Sequence, residues 1–297
     1  APGVMERLGL GWDVLKEINP KLVMVSASGT GQTGPTRAYA AYGTLLQIYT
    51  GFAGLNGYPK LPTSIGMAWA DPLCGMLLAF IAVAALRSSR NTGKGRHIDF
   101  SMVEAILVTM PEPLLEYQMS GTLSKPAGND DIEYSPHGVF KSEGDDSWVA
   151  IAVTNQSEWE SLADVIGASA EARGWGVSVR REHSAEIDKL IESWTSDITP
   201  SSASLTLQNA GVPASSSRTS AELSDDEHLK ARGFFEMLKD RNGEIRSMPT
   251  LPWHWIDDHA PTYGQPPVLG GDTKFVLKTI LGYSDADIEK LDDAGAL

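Results

Sequence analysis

One segment constrains this chain more than any other: Leu73 to Leu86, fourteen consecutive residues without a charge, introduced by Ala68-Trp69-Ala70-Asp71-Pro72. A helix that is apolar on every side has no face to give to water, so it predicts a buried helix at the centre of a layered fold. The segment before it supplies a strand, Leu22–Ser26, then a Gly-rich turn, Ser28–Pro35, and a helical stretch near Tyr42–Thr50. The segment after it supplies a basic turn, Arg87–Arg96, and a strand at His97–Met102 whose residues alternate as a half-buried strand does. Strand, helix, strand in this order predicts α/β layering.

Two short helices open the chain, Val4–Gly9 and Trp12–Ile18, the second stopped by Asn19-Pro20 because proline cannot continue it. A helix over Val103–Met119 completes a first domain at residues 1–119. Residues 120–133 are rich in Gly, Ser, Pro, Asn and Asp and read as a linker. A small α+β domain follows at 134–219, with strands Gly138–Lys141 and Trp148–Val153 and helices near Gln156–Ile166, Ser184–Thr195 and Ser201–Asn209. Residues 220–297 alternate charged helical pieces with the extended segments Met248–Trp253 and Pro261–Pro267, then end in helices Thr273–Leu281 and Asp285–Leu291.

Charge and cysteine content exclude some functions. With 38 acidic against 24 basic residues, the chain repels phosphate backbones, so nucleic acid is not an expected partner. No run of about 18 apolar residues is evident, so no membrane-spanning segment is expected. A single cysteine, Cys74, cannot form an internal disulfide, and no secretory leader precedes the first helix, so a cytoplasmic location is expected. Ala1-Pro2-Gly3 enters directly into a helix and a strand, and reads as a chain that begins in mid-domain. The spacing of His97, His183, His228, His254 and His259 suggests no metal site.

Gly29-Thr30-Gly31-Gln32-Thr33-Gly34 is formally G-x-G-x-x-G after a strand, but it does not predict a dinucleotide site. Pro35 interrupts the helix that should open there, and no Asp or Glu lies within 35 residues downstream to hold a ribose. The turn is either a close backbone approach to a ligand or a strand-exit loop. Asp71, taken locally, is an ordinary helix N-cap with proline at the first helical position.

Several stretches together carry a resemblance. Pro2-Gly3-Val4-Met5-Glu6-Arg7-Leu8-Gly9, Ile18–Ser26, Ser28-Gly29 through Gly34-Pro35, Gly66–Asp71 and Thr92-Gly93-Lys94-Gly95 occur in an order, with later Gly211-Val212-Pro213-Ala214, His228–Phe234, Leu269–Thr273 and Leu281–Ser284, that resembles the class III CoA-transferases. Members of that family include formyl-CoA transferase, carnitine CoA-transferase and methylacyl-CoA racemases. The resemblance implies a Rossmann-like large domain incomplete at its N-terminus, lacking roughly a hundred residues, plus the small α+β domain, with the C-terminal tail returning to the large domain in an interlocked homodimer.

The resemblance further implies an enzyme that moves CoA between an acyl-CoA donor and a small carboxylic acid, with no metal. It places Asp71 as the covalent nucleophile: an aspartate, with an ordinary pKa near ~3.9, is ionised at neutral pH and attacks a thioester without a separate base. Arg7 falls where the family holds the CoA phosphates, and is otherwise an exposed helix arginine. Tyr42 falls near the pantetheine and the reacting centre, and is otherwise a half-buried aromatic. Gly29 and Gly31 would approach CoA through bare backbone. Ala40 stands where some transferases carry a CoA-contacting lysine. Trp69 either narrows the acid pocket or belongs to the core, and His137 is either a substrate contact or a turn residue, in a chain without the family's glycine-rich flap. Two alternatives remain: a racemase or epimerase of the same fold, disfavoured because Tyr42 replaces an acid/base histidine, and a non-catalytic piece of a split transferase.

Overall fold

The computed structural model describes the whole chain except residues 41, 64, 65, 67, 241, 257–262, 265 and 266. Met67 of the Gly66–Asp71 stretch, His259, and most of Pro261–Pro267 therefore lie outside the described residues. Two units are distinguished, Ala1–Ser216 and Ser217–Leu297.

The first unit begins with α1 (Val4–Arg7), α2 (Trp12–Ile18) and β1 (Val23–Ser28). It continues through α3 (Gly43–Tyr49), α4 (Phe52–Leu55), a minimal hairpin of β2 (Gly57–Tyr58) and β3 (Leu61–Pro62), and α5 (Ala70–Thr92), to β4 (Arg96–Ser101). β1 and β4 pair in parallel, from Val23 opposite Arg96 to Ser28 opposite Ser101. Parallel pairing requires a crossover, and α5 is its long element. The entry to β4 is fixed by contact: Gly95 N–H donates to Pro20 O at 2.7 Å, and a Cβ on Gly95 would stand 2.2 Å from Leu22 O. No residue but glycine fits there.

α5 ends at Gly93, whose φ of 70° is left-handed and whose N–H donates to Ser89 O. Its inner side places Cys74, Leu77, Leu78 and Ile81 against Phe100, Ala105 and Val25. A second cluster joins Leu46 of α3 and Ala70 of α5 to Val103 and Ile106 of α6 (Met102–Leu107). The expected complete burial of this helix is not found: Met76, Phe80 and Val83, spaced at i, i+4 and i+7, are 66%, 73% and 66% exposed. Two strands, β1 and β4, and two helices, α3 and α6, are too few neighbours to cover a helix that is apolar all round. The expectation that no segment suits a membrane span is also corrected, since α5 is long and apolar enough by length and composition. Its charges, Asp71, Arg87 and Arg90, lie only toward its ends.

The single helix expected at Val103–Met119 is two, α6 and α7 (Pro111–Ser120), because Pro111 forces Met110 out of the helical region, to φ −142° and ψ 60°. Beyond α7, residues 121–136 carry no helix or strand.

The rest of the unit is a three-stranded antiparallel sheet, β5 (His137–Lys141), β6 (Trp148–Ala152) and β7 (Ala214–Ser216), with β6 central. It packs with α8 (Gln156–Val165), α9 (Ala170–Arg173), α10 (Val177–Glu182), α11 (Ser184–Thr195) and α12 (Pro200–Asn209). Phe140, Val149, Ile151, Trp159, Leu162, Ile187, Ile191 and Leu207 form its core. The sequence pattern gave no notice of α9, α10 or β7. The first two are a single turn to a turn and a half, and β7 is three residues long and directly follows Gly211 and Pro213, which break any pattern.

The second unit holds α13 (Ser220–Asp225), α14 (Glu227–Ala231), a hairpin of β8 (Phe235–Lys239) and β9 (Ile245–Pro249), then α15 (Thr273–Phe275) running into a π turn at Val276–Ile280, and α16 (Asp285–Asp293). The extended stretch expected at Met248–Trp253 is displaced to β9, which β8 pairs in register. The charged residues of β8, Glu236 and Lys239, hid its alternation.

Arg180 locks the core beneath the three-stranded sheet. It is 2% exposed and donates to Ser135 O at 2.6 Å, Trp175 O at 2.8 Å and Gln156 Oε1 at 2.9 Å, while its guanidinium carbon lies 5.4 Å over the Trp159 ring. Burial pushes its pKa down. Arg180→Met should leave two buried carbonyls without donors and cost about 3 kcal/mol of stability, read as a lowered urea midpoint by tryptophan fluorescence.

Candidate active site

Asp71 is the second residue of α5, and Trp69 is the cap, so the N-cap reading of Asp71 is corrected. Its side chain is free of capping duty and exposed. The contact between α5 and α3 brings it against Gly43, the first residue of α3: a Cβ on Gly43 would lie 2.6 Å from Asp71 Oδ2. Tyr42 precedes Gly43 as the extended N-cap residue of α3, 83% exposed, with its carbonyl accepting from Leu46 N–H. The structure therefore brings Tyr42 and Asp71 to neighbouring positions although 28 residues separate them in the chain. Gly43 is the residue that sequence reasoning missed. A glycine opening a helix was its only signal.

Trp69 turns inward, its ring 4.9 Å from that of Phe52 at a tilt of 50°, and packs against Leu46, Ala70, Val103 and Ile106. Its indole Nε1 is buried with no acceptor among the described residues. Cys74, one turn along α5 from Asp71, is 2% exposed.

The Gly-rich turn after β1 is pinned from below. Asp99 of β4 accepts from Gln32 N–H at 2.9 Å, and Gly29 O accepts from Val103 N–H at 2.9 Å. Gly31, at φ 87°, faces Asp99 and Ser101, whose nearest atoms would stand in ordinary contact, 3.6 Å, from a Cβ there, in a groove on the Thr30–Thr36 side of the turn. Gly29 instead lines a cavity of ≈ 720 Å³ with Ala1, Pro2, Gly3, Glu6, Gln32, Arg37, Tyr39, Ala40 and His97. Arg37 brings a guanidinium to its wall. His97 is held there by Ser26 Oγ at 2.8 Å from Nε2 and by stacking on Trp12 at 5.5 Å. Arg7 is not among the lining residues; its guanidinium lies over Gly3 at the cavity's edge.

His137 begins β5 in the small domain, where its Nδ1–H donates to Asn129 O at 2.7 Å. That bond ties the 121–136 segment to the sheet, and Asn129 in turn donates to Tyr58 Oη at 3.3 Å. Nearby, burial pushes Asp188 of α11 up, with the charges of Asp130 and Glu192 adding to it. No group of three or more His, Cys, Asp or Glu able to hold a metal occurs among the described residues.

The geometry is thus an exposed carboxylate at the start of a long crossover helix and, separately, a cavity with Arg37 and His97 on its wall. The sequence profile of CoA-transferase family III matches residues 1–273, and the chain belongs to that family. It is 30% identical over 295 residues to succinyl-CoA–D-citramalate CoA-transferase of Chloroflexus aurantiacus, covering 98% of this chain and 73% of that protein. It is 29% identical over 324 residues to formyl-CoA:oxalate CoA-transferase of Rhodopseudomonas palustris, covering 99% and 75%. A CaiB/BaiF family protein from Brucella suis superposes with a TM-score of 0.83 at 26% identity, covering 94% of this chain and 73% of that one. The chain is thus a CoA-transferase of class III, and CoA transfer is its general chemistry.

Burial pushes the Cys74 thiol up, and the Asp71 charge adds to the shift. A raised pKa leaves less thiolate at a given pH. Iodoacetamide at pH 8 should label Cys74 at least about tenfold more slowly in the native protein than in guanidinium, and Asp71→Asn should speed native labelling slightly, as followed by intact mass.

Proposed function

We propose that this protein transfers CoA from an acyl-CoA donor to a small carboxylic acid, with Asp71 as the covalent carrier. The observation that carries the reading is the exposed Asp71 carboxylate in the first turn of α5, seated beside Tyr42-Gly43 in a chain of this family. The relatives named above pair an acyl-CoA with a small carboxylic acid, which supports the same substrate class here.

The steps balance without an external base. An Asp71 oxygen attacks the thioester carbonyl and expels CoA thiolate, giving an aspartyl–acyl anhydride. The thiolate attacks the aspartyl carbonyl and expels the donor's carboxylate, leaving an aspartyl-CoA thioester. The acceptor carboxylate attacks that thioester, releasing thiolate again. Thiolate then attacks the acceptor's acyl carbon and returns Asp71 as a free carboxylate. Each negative charge passes from oxygen to sulfur or back, so no proton is consumed.

CoA is proposed to occupy the cavity lined by Gly29, Arg37 and His97, with Arg7 at its edge and Tyr42 toward Asp71. Arg37 offers a guanidinium to phosphate where Ala40 offers nothing. Gly31, which faces Asp99, has a structural part in this scheme, and His137 holds the linker. The fuller architecture is part of the proposal: a Rossmann-like domain at 1–119, a small domain at 134–219, and an interlocked homodimer in a reducing cytoplasm. The uncovered apolar side chains of α5, and Leu114, Leu115 and Met119 of α7, support a chain that expects further protein around it.

Hydroxylamine trapping with a panel of short acyl-CoA thioesters should give a hydroxamate on Asp71 in the wild type and none in Asp71→Ala, read by peptide mass spectrometry. An active Asp71→Ala enzyme would end the covalent reading. Solvent deuterium entering the substrate α-carbon would point to racemisation instead. Sedimentation should show a dimer at micromolar concentration; a fully active monomer would overturn the interlocked assembly.

A further inference from the structure

We propose that Gly43 is a positioning residue for Asp71, and that the absence of a side chain at 43 is what gives the carboxylate its place. The inference rests on the reading of Asp71 as nucleophile. A Cβ built on Gly43 would lie 2.6 Å from Oδ2, 3.0 Å from Cγ and 3.1 Å from Oδ1 of Asp71. All three of its nearest neighbours are therefore atoms of one carboxylate.

The backbone does not ask for glycine at this position. Gly43 opens α3 and is not among the positive-φ residues, so any amino acid could adopt its conformation. Alanine would favour the helix by up to about 1 kcal/mol. The remaining demand is steric, and it comes from Asp71. Gly43 is itself buried, whereas Asp71 is exposed and ends in two free torsions. When a methyl group is added at 43, the group that yields is the carboxylate and not the helix.

This arrangement separates catalysis from stability. Alanine at 43 would swing the carboxylate by roughly an ångström, a displacement of the kind that costs about 10²-fold in rate when it misaligns a reacting group. The core beneath, formed by Leu46, Ala70, Val103 and Ile106, would keep its packing. The cavity with Arg37 would keep its lining, which includes neither Gly43 nor Asp71.

The test compares wild type, Gly43→Ala, Gly43→Val and Asp71→Ala with an acyl-CoA that the wild type turns over. For Gly43→Ala the expected result is a kcat lowered about 100-fold, KM for acyl-CoA within about twofold, unchanged affinity for free CoA by calorimetry, and a thermal midpoint unchanged or raised. Hydroxamate formation at Asp71 should slow in parallel, with Gly43→Val slower still. Wild-type kcat in Gly43→Ala would overturn the proposal, and so would loss of CoA affinity and thermal midpoint together with kcat. Activity surviving in Asp71→Ala would instead remove the nucleophile reading on which the proposal stands.

Discussion

The parallel pairing of β1 with β4 is the constraint on which the first part of the first unit depends. Parallel strands cannot be joined by a turn, so about seventy residues between Ser28 and Arg96 must leave the sheet and return, and α5 carries most of the return. The pairing is closed by Gly95, whose missing side chain lets the chain pass within contact of Leu22 O. Once Val23–Ser28 lies beside Arg96–Ser101, Asp99 stands under the Gly-rich turn and accepts from Gln32, and His97 stands at the cavity wall. The site is thus assembled from segments that share nothing in the sequence except the register of one strand pair.

Helix α5 links that register to the chemistry. Its inner side meets Phe100 and Val25 of the sheet, and its first turn meets α3, which sets Asp71 against Gly43. A single rigid helix therefore connects the strand pair to the carboxylate, so that packing at Cys74 and Leu77 holds the orientation of a group one turn away. The opposite side of the helix, through Met76, Phe80 and Val83, has no cover among the described residues. Roughly 25 cal/mol is lost for each Å² of apolar surface left in water, and a helix so composed is stable only as an inner layer.

The three-stranded sheet β5–β6–β7 solves a different problem. Being antiparallel, it needs only one covered face, and Trp159, Leu162, Ile187, Ile191 and Leu207 supply it. Arg180 enters that core with its charge met by two carbonyls, an amide oxygen and an aromatic face, an arrangement that fixes the Tyr134–Pro136 approach to β5 and so the position of His137.

What the sequence alone determined was local. Apolar periodicity and the stop at Asn19-Pro20 placed α2, α8 and α11, and alternation placed β4, β5 and β6 within a residue or two, because each signal lies inside the element it describes. For α5 the apolar run marks only Leu73–Leu86, and the basic turn expected from Arg87 is instead its last turn and a half, to Thr92. The resemblance, spread over many short stretches, gave the family. Pairing partners and exposure were decided only by the tertiary structure. It showed α5 half uncovered, Trp69 turned into the core, Arg7 displaced from a cavity wall that Arg37 and His97 occupy, and Gly43 under the Asp71 carboxylate. None of these follows from a pattern along the chain, because each depends on the distance between residues that the sequence keeps far apart and the strand register brings together.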